Sequence, residues 1–172
     1  MTNIHNILLT IVIEYLHFYD KHTLQKINKY TNCIQITDLY NIKNIFLEKL
    51  DDNILKQYKS AIKLNVTDNQ KITNINHMRK IKILNASGDC GINNESIKLI
   101  NPEILIAHGN TKITNINHMT NLRELYARNT CGIDNNCIKN INLEILDIQN
   151  NQKNNSYYTY DKFKRPQCKW IM

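Results

Sequence analysis

The sequence has few of the residues from which common catalytic and metal-binding motifs are built. Its 172 residues include only 4 glycines and 2 prolines, and no G-x-G-x-x-G, P-loop or G-x-S-x-G pattern occurs. The five cysteines include no C-x-x-C pair, the spacing typical of zinc and redox sites. We therefore expect no catalytic residues, no cofactor and no metal site, and we predict that the protein is not an enzyme.

A long apolar segment is also lacking. The most apolar stretch, Ile7 to Ile13, is interrupted by Thr10 and followed by Glu14, whereas a membrane-spanning helix needs about 20 apolar residues. No positively charged flank or small-residue cleavage site marks it as a signal peptide. We therefore expect no membrane partner, and a reducing cytoplasm in which the thiols stay free.

The charge is positive but spread along the chain. The formal net charge is +7, and the lysines are dispersed, which is typical of a solvated surface. A nucleic-acid partner is therefore not the favoured prediction. Salt-sensitive association with nucleic acid would be the test of that alternative.

An internal repeat is the strongest signal in the sequence. KITNINHM occurs at residues 71–78 and again at 112–119, 41 positions later. Five segments fit a shorter template, L-x-x-L-x-L-x-x-N-x-x-I, and its second apolar position recurs in steps of 20, 21, 20 and 21 residues. A unit of about 20 residues cannot bury its apolar face alone, so neighbouring units must stack. That position is occupied by Leu64, Leu84, Leu105, Leu125 and Leu146.

A polar position follows each predicted strand. Where the chain turns out of a strand, an inward side chain can satisfy backbone groups of the adjacent unit. We predict such a ladder, and Asn110→Leu should then destabilise the fold. The predicted ladder consists of Asn69, Asp89, Asn110, Thr130 and Asn151.

The connections behind the strands are of two lengths. Short units carry an apolar residue at every third position, as in Ile72, Ile75 and Met78, which favours 3₁₀ turns. Long units, such as the one with Ile92 and Ile97, have room for roughly one turn of α-helix. KITNINHM therefore forms the back of every second unit.

These features resemble the leucine-rich repeat, and the short units are most similar to those of internalin-type proteins. The resemblance implies an α/β solenoid with one short parallel strand per coil. We place the repeats at residues 47–155, after a small helical segment at 1–46 and before a tail at 156–172. That tail is predicted to cap the last coil, with a basic arm that touches phosphate as the alternative.

The strand positions between the core residues point away from the core, because side chains of a strand alternate between faces. On the concave side of the array they place an apolar strip edged by His108 and Arg128. Such patches are typical of protein interfaces, so we predict a protein partner here. A neighbouring molecule or the tail could cover the strip instead. The strip consists of Ile83, Ile104, Ile106, Tyr126 and Ile145.

The amino-terminal segment has apolar residues at helical spacing, then His17-Phe18-Tyr19-Asp20 and a second segment with Leu24 and Asn28-Lys29-Tyr30. This arrangement ahead of repeats resembles an F-box. The resemblance implies docking onto the adaptor subunit of a cullin-RING ubiquitin ligase, and hence a substrate-recruiting role. The alternative is a helical cap on a stand-alone binding scaffold. The residues implied in adaptor binding are Ile7, Leu8, Ile11, Leu16 and Leu24.

Heavy use of Asn, Ile and Lys accompanies these features. The combination is similar to repeat proteins of giant DNA viruses of amoebae, which implies the host-cell cytoplasm. Two further residue types recur 41 positions apart, as Cys90 with Cys131 and His77 with His118. Two strand spacings, about 9.6 Å, separate the members of each pair, too far for a disulfide or a shared metal ion. We interpret them as packing residues copied with the repeat.

Overall fold

The described part of the chain is built around one all-parallel sheet. The computed structural model describes residues 37–41, 47–153 and 169–171. Seven short strands pair in chain order within these residues, so each strand lies beside the one before it in sequence. The strands are β1 (Asp38–Leu39), β2 (Lys63–Asn65), β3 (Ile83–Asn85), β4 (Ile104–Ile106), β5 (Glu124–Tyr126), β6 (Ile145–Asp147) and β7 (Lys169–Ile171).

The register of this sheet follows the period of the sequence. Leu64 pairs with Leu84, and the pairing continues without a shift through Leu105, Leu125 and Leu146. All five leucines are fully buried, as the steps of 20 and 21 residues predict. Because side chains of a strand alternate between faces, the residues on either side of each leucine point away from the core.

Three of the longer connections between strands each contain a short helix. Helix α1 (Asp52–Leu55) precedes β2, α2 (Asn94–Ile97) follows β3 and α3 (Asn135–Ile138) follows β5. The predicted helical turn in the 21-residue units is thus confirmed for α2 and α3. Each begins at a side-chain cap, since Asn93 accepts a hydrogen bond from the amide of Ser96 and Asp134 one from that of Cys137.

The 20-residue units contain isolated turns with the i→i+3 hydrogen bond of the predicted 3₁₀ turns. The amide of Met78 donates to the carbonyl of Ile75 at 2.9 Å, but the turn does not continue as a helix. Asn74 supplies the reason, because its side chain accepts a hydrogen bond from the amide of Asn76 at 3.0 Å. Such local side-chain bonds compete with helical backbone bonds.

Both copies of KITNINHM line the core. Their apolar residues are fully buried, and burying each such side chain stabilises the fold by roughly 1.5–3 kcal/mol. The repetition is therefore accounted for by packing. These residues are Ile72, Ile75, Met78, Ile113, Ile116 and Met119.

The predicted asparagine ladder is correct at three positions. Asn110 is fully buried, and its side-chain amide donates to the carbonyls of Ala86 at 2.8 Å and Ile92 at 3.3 Å in the preceding unit. Its side-chain oxygen accepts from the amide of Lys112 at 2.8 Å. Equivalent bonds run from Asn69 to Leu47 and Leu50, and from Asn151 to Ala127 and Ile133.

At the other two positions the ladder prediction is wrong. Asp89 and Thr130 are exposed, and the next residue in each case, Cys90 or Cys131, is fully buried. The units with β3 and β5 hold one extra residue before the inward position, which turns Asp89 and Thr130 outward. We call these two the Cys units, and those with β2, β4 and β6 the Asn units.

A left-handed residue begins the turn after every strand from β2 to β6. The backbone angle φ lies between 56° and 67° at all five positions, a conformation that Gly, Asn and Asp tolerate best. The sequence places only those three types there. They are Asp68, Gly88, Gly109, Asn129 and Asn150.

The sheet extends beyond the predicted limits of the repeats. Strand β1 lies in the segment predicted to be helical, at 1–46, and its Leu39 is fully buried and pairs with Leu64. Strand β7 lies in the predicted tail, where Trp170 pairs with Leu146. The steps at these two ends are 25 and 24 residues, so neither strand follows the period. Strand β1 pairs with β2 and β7 pairs with β6, so both cover strand edges that would otherwise be unpaired.

Candidate protein-binding face

The candidate site is the side of strands β2 to β6 that faces away from the core, here called the outer face. Three rows of side chains cross it, because the strands are aligned without a shift. The first row is Lys63, Ile83, Ile104, Glu124 and Ile145; the second is Asn65, Asn85, Ile106, Tyr126 and Asp147; the third is Thr67, Ser87, His108, Arg128 and Gln149.

The predicted apolar strip lies on this face. Ile83 is the register partner of Ile104, and Ile106 is that of Tyr126. All four side chains are half-buried, as is Ile145. The strip is interrupted in its first row, where Glu124 stands between Ile104 and Ile145.

A hydrogen bond holds the carboxylate in that gap. The hydroxyl of Tyr126 donates to Oε2 of Glu124 at 3.0 Å. Burial raises the pKa of Tyr126, and so do this hydrogen bond and the negative charges of Glu124 and Asp147. The phenol therefore stays protonated at neutral pH and fixes one oxygen of the carboxylate.

Arg128 and Asp147 form an ion pair at the other end of the strip. Nε of Arg128 lies 2.6 Å from Oδ2 of Asp147, and the two side chains are 39% and 1% exposed. Asp147 was not among the predicted site residues. The signal that could have found it is its place beside Tyr126 in the second row, one strand from Arg128.

His108 is fixed between these groups. Its Nδ1 accepts a hydrogen bond from the backbone amide of Arg128 at 3.1 Å, and its ring lies edge-on to Tyr126 with the centroids 6.3 Å apart. Burial and the charge of Arg128 lower the pKa of His108, although Asp147 opposes them. The imidazole is thus neutral at pH 7 and carries its proton on Nε2.

The repeated histidines and cysteines have structural contacts. Nε2 of His77 lies 3.0 Å from the carbonyl of Leu55 in the preceding unit, and His118 makes the same contact with Ile97. Burial raises the pKa of the Cys90 thiol, which disfavours the reactive thiolate. Among the described residues, no group of three or more His, Cys, Asp or Glu side chains could hold a metal ion.

The residues predicted to bind an adaptor subunit, from Ile7 to Leu24, lie outside the described residues. No helix in the described part of the chain is long and apolar enough to cross a membrane. Comparison of the sequence with protein-family models and with curated proteins finds no match.

Proposed function

We propose that this chain is a non-enzymatic interaction protein, a leucine-rich repeat solenoid whose outer face is concave and binds a protein partner. The main observation in support of this proposal is the contrast between the two sides of the 41-residue repeat. The back is identical in the two copies of KITNINHM, whereas the outer face changes from Ile83 to Glu124, from Asn85 to Tyr126 and from Ser87 to Arg128. A surface that varies on a constant support is typical of binding proteins built from repeats.

The solenoid assignment is supported by the sheet and the core. The strands are parallel and pair in chain order at steps of 20 and 21 residues. Each connection must therefore bring the chain back to the starting end of the sheet, one strand spacing further along. The inward asparagines, which bond to carbonyls of the preceding unit, occupy the polar position of the leucine-rich template.

The outer face is tested by replacing Tyr126 and Arg128 together with alanine. We expect the double variant to lose partners that the wild-type protein retains in a pull-down, because aromatic and Arg side chains dominate binding energy at interfaces. Glu95→Ala with Lys98→Ala is the matched control, since this exposed ion pair joins α2 to its C-cap residue at the back. Partners retained by both variants would refute the assignment, provided that circular dichroism shows both to be folded.

An adaptor role is the fuller form of this proposal. As the F-box resemblance implies, residues 4–45 would dock onto the adaptor subunit of a cullin-RING ligase in the cytoplasm, while the outer face holds the substrate. We expect that subunit to co-purify with the full chain and to be lost from an Ile7→Asp, Leu8→Asp variant. The double variant of the outer face should still retain it.

A stand-alone scaffold is the second candidate. It is favoured by Leu39, which belongs to the same amino-terminal segment but is buried in the core and paired in the sheet. A segment that completes the sheet acts as a cap. If the adaptor subunit fails to co-purify while the outer face still retains its partner, this second function is the correct one.

A further inference from the structure

The charged side chains of the outer face are paired, with one exception among the described residues. Lys63 pairs with Asp38 of β1 at 3.5 Å, and Arg128 pairs with Asp147 at 2.6 Å. Glu124 forms no ion pair within the described part of the chain. Its hydrogen-bond donor there is the uncharged hydroxyl of Tyr126.

The position of Glu124 makes this exception important for binding. Its row neighbours, Ile104 and Ile145, are the apolar side chains that a partner would cover. Covering them removes water from the carboxylate as well, and an ion left without a counter-charge in such a place opposes binding. A purely apolar or an acidic partner would therefore be disfavoured at the centre of the strip.

The nearby arginine does not reverse this preference. Asp147, which is 1% exposed, already accepts a hydrogen bond from Arg128, so the charge of that pair is balanced. The negative charges of Glu124 and Asp147 both act on Tyr126, whose pKa they raise along with burial. The charge that stays unbalanced at the centre of the face is thus the carboxylate of Glu124.

From this arrangement we propose that the partner presents a Lys or Arg side chain, flanked by apolar side chains, that forms an ion pair with Glu124. The inference rests on the proposed function, because it names the chemistry of the partner for the same face. The apolar side chains cover Ile104 and Ile145, and the cation bonds to the carboxylate that Tyr126 orients.

The experiment is selection from a random peptide display library with three baits, each the full chain. These are the wild-type protein, Glu124→Lys, and the control Glu95→Lys, which makes the same charge change on α2 at the back. We expect the wild type and the control to enrich peptides with Lys or Arg between apolar residues. Glu124→Lys should enrich peptides with Asp or Glu there. Lys63 already stands in the same row, so a lysine is compatible with the strand.

A peptide selected on the wild type then gives the size of the effect. We expect its affinity to fall roughly thirtyfold in Glu124→Gln, the loss typical of removing one partner of a hydrogen-bonded charge pair. Selection of the same peptides by the wild type and Glu124→Lys, or of acidic peptides by the wild type, would overturn the inference.

The failure of this inference can be told from failure of the proposed function. Peptides that show no charge preference, but are lost in the Tyr126→Ala, Arg128→Ala variant, would leave the face as a protein-binding site and remove only the basic partner. Failure of the wild type to enrich any peptide over that double variant, combined with an unchanged pull-down, would remove both.

Discussion

The Asn units and the Cys units close the same turn by different means. In an Asn unit a side chain reaches inward, so that Asn110 bonds to the carbonyls of Ala86 and Ile92. In a Cys unit the backbone itself approaches, and the amide of Gly132 donates to the carbonyl of Asn110 at 2.8 Å. A Cβ atom at Gly132 would lie only 2.5 Å from the carbonyl oxygen of Ile113, so glycine is required there.

The difference shows that the alternation of 20 and 21 residues is a packing requirement. Asn110 is used twice, since its side chain bonds to the Cys unit before it and its carbonyl accepts from Gly132 in the Cys unit after it. Gly91 makes the same contact with Asn69, at 2.9 Å. Each Cys unit is therefore bonded through its glycine to the asparagine of the Asn unit before it.

The largest effect is expected from breaking an Asn unit. Asn110→Leu leaves the buried carbonyls of Ala86 and Ile92 without their side-chain donor, and we expect it to lower the free energy of unfolding by about 3 kcal/mol. Urea denaturation measures this loss. Asp89→Leu is the control, because Asp89 has the same offset from its strand but is exposed. A similar loss in both variants would contradict the corrected ladder.

Adding a single methyl group to the glycine of a Cys unit should lower the stability of the fold. Gly132→Ala places Cβ against the carbonyls of Ile113 and Thr111, and we expect overpacking to cost about 2 kcal/mol. Gly109→Asn is the matched control, because Asn129 and Asn150 hold the equivalent position with the same positive φ. The melting temperature should fall for Gly132→Ala and stay near the wild-type value for Gly109→Asn. Equal shifts would show that glycine matters only for backbone freedom.

The smallest effect is expected where the two copies of KITNINHM bond to the unit before them. Two successive backbone amides donate to the side chain of Asp52 in the first copy and to that of Asn94 in the second. Burial opposes ionisation of Asp52, but its hydrogen bonds from Thr73 and Asn74 outweigh this and lower its pKa. The carboxylate therefore adds stability above its unfolded pKa, and this is lost as pH falls through the lower folded pKa.

We expect Asp52→Asn to cost less than about 0.5 kcal/mol at neutral pH, because the carboxylate is partly exposed. The difference from the wild type should begin to shrink as the pH falls below about 4 and should vanish below the lowered folded pKa. Urea denaturation at neutral and acid pH measures both values. Asn94→Asp is the reciprocal variant and should gain a similar amount at neutral pH. A cost that persists in acid would show that geometry, not charge, distinguishes the two residues.

The rows of the sheet could be predicted from the sequence because burial imposes a strict spacing on Leu64 and its four equivalents. The end strands could not, because Leu39 and Trp170 are joined by longer connections to which no spacing rule applies. A constant offset from the strand predicts Asp89 at the inward position, whereas the extra residue of the Cys unit places Cys90 there. The glycines directly after Cys90 and Cys131, at Gly91 and Gly132, are the signal in the sequence that marks the inward position.

The outer face was predictable in part. Strand alternation alone places Ile104, Tyr126 and Arg128 on one surface. The pairing of Arg128 with Asp147 and the hydrogen bond from Tyr126 to Glu124 depend on distances between neighbouring strands, which a single sequence does not contain. For that reason the charged centre of the strip was not foreseen.

The mutual fit of Asn and Cys units also restricts how this molecule can change its length. Duplication of one Cys unit would place two of the same kind side by side, and the second would lack the asparagine carbonyl to which its glycine amide donates. Duplication of the 41-residue pair restores every contact. Such a duplication widens the outer face by two strands, about 9.6 Å, and adds six outward side chains that are free to diverge.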